Sequence, residues 1–122
     1  MHVNLPLILL AAAAALGLLL GSRFLRGRRN PPMLIGLHLL LGGAGLETLA
    51  MMLRGAPDGT PAPTGSLAVM SAGMLVLAMV CGLGAPVLAR YSKLGANATV
   101  AVHASCAAGG IALLIGWLQQ GA

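Results

Sequence analysis

Two histidines, His38 and His103, are the residues of this 122-residue sequence best equipped for chemistry. A neutral imidazole has one nitrogen that donates a hydrogen bond and one whose lone pair can bind a metal or accept a proton. Both lie within long apolar runs, where an ionisable side chain is costly and marks a functional position. Small residues follow each one and two turns later: Gly42 and Gly45 after His38, Ala107 and Gly110 after His103. The match extends to Leu49 and Leu114, so at about 100° per residue the two sets form equivalent helical stripes. Two imidazoles with space beside them are the donor set for bis-histidine ligation of one haem iron. The structural alternative is a pair of histidines that hydrogen-bond neighbouring helices and do nothing more.

The other chemical candidates are weaker. Glu47 is the only acid inside an apolar run, nine residues beyond His38, which places it about 180° round a helix and ~13 Å further along it. It should face away from the histidines, towards another subunit or the membrane surface near Arg54. Met51, Met52, Met70 and Met74 include an i, i+4 pair of thioethers of the kind copper(I) favours, although membrane helices also use methionine as filler. His2 is a candidate metal ligand near the external surface, but a terminal histidine is usually just solvated. Cys81 and Cys106 read as small apolar side chains. No nucleophile–base pair, phosphate-binding loop or metalloprotease motif is present, so a self-contained enzyme is not expected.

These residues must be positioned by membrane-spanning helices. Hydrophobic residues make up 58% of the chain and charged residues 7%, which leaves too little polar surface for a soluble domain. A crossing needs about 20 apolar residues, and four such stretches, at 3–21, 33–53, 67–89 and 98–118, use nearly the whole sequence. They are continuous runs without Lys or Arg and lack the alternation of a β-barrel strand. Backbone groups in lipid must then be satisfied within helices. The expected fold is all-α, one integral membrane domain over residues 1–122, arranged as an up-down-up-down four-helix bundle. The first stretch has no basic residue before it and several after it, so it reads as a retained helix and not as a signal peptide.

Arg23, Arg26, Arg28, Arg29, Arg90 and Lys93 fall in the loops after the first and third stretches, and Arg54 alone falls on the other side. The positive-inside bias makes those two loops cytoplasmic and both termini non-cytoplasmic, in a bacterial-type inner (plasma) membrane. The net charge of +5 is therefore topological; anionic lipid, not nucleic acid, is its partner. Asn30-Pro31-Pro32 suits a helix start. The loop at 54–66, rich in Pro, Gly and Thr, reads as an external connector. Tyr91, Trp117 and Phe24 sit where aromatic anchors are expected. The two halves share an order of helix, basic loop and histidine-bearing helix, as a duplicated hairpin would. Each histidine stands about six residues into its stretch, so both lie ~9 Å along their helices. In such a bundle the second and fourth helices are diagonal neighbours with inward stripes facing across the centre.

On His38, His103 and their small neighbours, the sequence resembles the membrane b-type cytochromes, whose four-helix cores hold haem between histidines on alternate helices. The resemblance covers the second and fourth helices. Larger members carry a second histidine pair, which this chain lacks, so the resemblance implies a single haem b. It also places that haem near the cytoplasmic surface, with propionates meeting Arg23, Arg26, Arg90 or Lys93. The implied function is electron transfer, or anchoring, as a non-catalytic subunit of a larger respiratory or photosynthetic complex, with other membrane subunits and a quinone as partners. The alternatives are a cofactor-free accessory subunit and a small proton-coupled transporter.

Overall fold

A computed structural model describes residues 4–55 and 65–120; His2 and the middle of the second loop lie outside them. Four helices follow in order: α1 (Leu5–Leu25), α2 (Pro32–Arg54), α3 (Ser66–Leu88) and α4 (Lys93–Gln119), with no strand among the described residues. Each is long and apolar enough to cross a membrane. Helix α1 packs along α2 and α3 along α4, while slighter contacts of α1 with α4 and of α2 with α3 close the ring. Helices α2 and α4 therefore stand diagonally, and the protein is a membrane-spanning four-helix bundle.

Local signals set the helix ends. Helix α1 runs past its apolar stretch to Leu25 and stops where Gly27 takes φ +67°. There the Gly27 N–H donates to the Phe24 carbonyl and the Arg28 N–H to the Arg23 carbonyl, satisfying the last carbonyls of the helix. Asn30 Nδ2 then donates to the Leu20 carbonyl and Arg23 Nη2 to the Arg29 carbonyl, folding the loop back on α1. Helix α2 begins at Pro32, as the double proline predicts. Helix α4 begins at Lys93, five residues before the apolar stretch, because the Ser92 side chain accepts from the Gly95 N–H and caps the first turn. Hydropathy marks only the part of a helix that lies in lipid and so missed that polar turn.

The core lies towards the end of the bundle where α2 and α4 finish. Leu10, Leu49, Ala68, Leu75, Leu114 and Trp117 form one buried cluster. Trp117 is 4% exposed and does not act as an interface anchor; Gly65 leaves room for its indole, at 3.1 Å from where a Cβ would stand. Ser71, also buried, donates its hydroxyl to the Gly110 carbonyl at 2.7 Å, tying α3 to α4. Tyr91, at 84% exposed, projects at the opposite end.

Candidate functional site

The two imidazoles meet at the centre of the bundle. Their ring centroids are 5.8 Å apart, with the planes inclined at 73°. His38 lies six residues into α2 and His103 ten residues into α4. The rings nevertheless meet, and the extra first turn of α4 accounts for the four-residue difference.

Each ring is fixed by the helix before its own. His38 Nδ1 lies 2.8 Å from the Ala13 carbonyl oxygen on α1, and His103 Nδ1 lies 2.6 Å from the Ala78 carbonyl oxygen on α3. A carbonyl can only accept, so Nδ1 carries the proton and Nε2 keeps its lone pair in the neutral ring. Metal-binding histidines are commonly oriented by such a bond from the other ring nitrogen to a backbone carbonyl. One turn beyond each carbonyl stands a glycine. A Cβ on Gly17 would approach His38 Cε1 to 3.0 Å, and one on Gly82 would approach His103 Nδ1 to 2.8 Å. Glycine thus lets each imidazole lie against the backbone of its neighbouring helix.

One shift along the chain carries Leu10, Ala13, Gly17, His38, Gly45 and Leu49 onto Leu75, Ala78, Gly82, His103, Gly110 and Leu114. The counterparts make matching contacts, so the duplicated hairpin is a feature of the packing as well as of the sequence. Ala13, Gly17, Ala78 and Gly82 are small residues of α1 and α3, and their service to the histidines has no signal in residue type alone. Only the equal spacing of carbonyl and ring in the two halves, 25 positions each, could have suggested it.

The small residues of α2 and α4 divide in role. A Cβ on Gly42 would meet nothing within 4 Å. On Gly45 it would meet Leu10 Cγ at 2.7 Å, and on Gly110 Leu75 Cγ at 2.8 Å. These two glycines receive leucines from α1 and α3, and the space expected beside them is filled. Ala107 is half-buried. Of the cations expected near a propionate, Arg23 spends Nη2 within its own loop, and Arg26 and Arg90 are exposed. Lys93 lines a separate recess of about 390 Å³ with Arg28 and Arg29.

Glu47 is exposed on the outside of α2, away from the histidines as its helical position predicts. Met70 and Met74 part company: Met70 is 56% exposed, whereas the Met74 methyl packs at Gly109, 2.7 Å from where a Cβ would stand. Among the described residues no group of three or more His, Cys, Asp and Glu side chains is placed to hold a metal. No protein-family model matches the chain, and comparison with characterised proteins and with solved structures finds no significant similarity.

Proposed function

We propose that the protein is a small haem b protein of a bacterial-type plasma membrane, with His38 and His103 as axial ligands and both termini on the non-cytoplasmic side. In this reading it serves as an electron-transfer or anchor subunit of a larger respiratory or photosynthetic complex. The observation that carries the reading is the pair of adjacent imidazoles, each with Nδ1 bonded to a carbonyl so that Nε2 keeps its lone pair. His38 and His103 would hold the haem iron between them through their Nε2 lone pairs. The ring centroids stand 5.8 Å apart. The bound group would supply a one-electron couple, and the two carbonyl anchors would set ligand orientation and basicity. A Cβ on Gly42, one turn beyond His38, would meet nothing within 4 Å, whereas a macrocycle extending over Gly45 and Gly110 would require Leu10 and Leu75 to turn aside.

Those two leucines favour the second reading, a cofactor-free accessory subunit in which the histidines join helices within a filled core. A visible spectrum separates the two. Purified protein from haem-replete cells should show sharp b-type α and Soret bands on reduction, and these should vanish in His38→Ala and in His103→Ala. A colourless wild type, or bands that survive in both variants, sinks the haem reading and leaves the accessory role.

A further inference from the structure

The recess at the loop end of the bundle differs in character from the histidine centre. Its apolar walls come from Phe24, Leu25, Ala89 and Ala96, with Arg28, Arg29 and Lys93 around it, and none of its lining belongs to α2. At about 390 Å³ it falls within the size range of small-ligand sites. Glu47, the one acid among the described residues, lies in the far half of α2, so no described carboxylate is placed to neutralise the three cations. Lys93 is the first residue of α4, whose first turn carries no acid, and the positive end of that helix adds to the same field. Asn97, one turn on, also belongs to the lining.

We infer that this recess is a binding site for a phosphate group, with the guanidinium groups of Arg28 and Arg29 and the ammonium of Lys93 as its donors. Guanidinium forks match two phosphate oxygens at once, and an ammonium adds a compact charge. The recess stands where four membrane-crossing helices end, the level of lipid headgroups, and its apolar walls suit the first carbons below a phosphate. An anionic phospholipid and free phosphate share this chemistry.

The test compares two charge-matched variants of the full chain in detergent, Arg29→Gln/Lys93→Gln in the recess and Arg26→Gln/Arg90→Gln outside it. Native mass spectrometry with added phosphatidylglycerol or phosphatidylcholine reads lipid retention, and calorimetric titration with inorganic phosphate reads the free ion. A lipid site retains one phosphatidylglycerol under activation that strips phosphatidylcholine. A free-phosphate site shows saturable binding of the ion with no such lipid preference. In either case the recess pair should weaken binding about tenfold or more and the outside pair less than about twofold. Equal losses in the two variants would mean a diffuse surface field, and that outcome, like the absence of binding by either probe, overturns the proposal.

Discussion

Replacing Gly82 by alanine tests the packing of the histidine pair directly. The added methyl would stand 2.8 Å from His103 Nδ1 and 2.9 Å from Cε1. The ring cannot swing away freely, because Nδ1 is bonded to the Ala78 carbonyl at 2.6 Å. Either that bond breaks or α3 and α4 move apart, and overpacking of this kind costs about 1–3 kcal/mol. Alanine also favours the helix over glycine by up to about 1 kcal/mol, which obscures the cost in a single variant. Gly84→Ala supplies the reference, since a Cβ there meets nothing within 4 Å. The difference between the two variants should isolate the clash, with Gly82→Ala less stable by about 1–3 kcal/mol in a reversible unfolding titration in mixed micelles. Removing the ring should remove the penalty: in a His103→Ala background, Gly82→Ala and Gly84→Ala should be equivalent, as a double-mutant cycle reads coupling between neighbours. Equal stabilities in the wild-type background, or a penalty that survives loss of the ring, would refute the argument.

Two further predictions use other parts of the fold. Leu49 and Leu114 are fully buried counterparts, so Leu49→Ala and Leu114→Ala should each cost about 2 kcal/mol, the low end for core truncation because the unfolded helices stay in an apolar medium. Ile115→Ala, at a position 39% exposed, should cost under about 1 kcal/mol in the same titration, and parity with Leu114→Ala would count against the described packing. The proposed topology predicts that a Tyr91→Cys variant lacking Cys81 and Cys106 reacts with a membrane-impermeant maleimide only after the cells are opened. Labelling in intact cells would invert the orientation.

Much of the bundle is written in composition. Four runs without Lys or Arg can be little else than membrane helices, and the basic residues between alternate runs tie the chain into hairpins. The repeated stripes at His38 and His103 also disclose which faces turn inward. Where α4 starts was hidden, because Lys93, Gly95 and Asn97 look like loop residues until Ser92 is seen to cap them. The partners of the inward stripes were hidden too. Glycine records only that something comes close, and residue type does not say whether the neighbour is a leucine, as at Gly45, or an imidazole, as at Gly17. Ala13 and Ala78 contribute through backbone oxygens, which every residue has, so their identity carried no signal.

The uneven contact round the ring has a mechanical consequence. Each hairpin is held together along its length and already contains the tether of its own histidine, whereas the seam between hairpins is thinner. The two rings touch across that seam. A probe that forced them apart would load that seam, and the leucines that bridge it, before the contacts inside either hairpin.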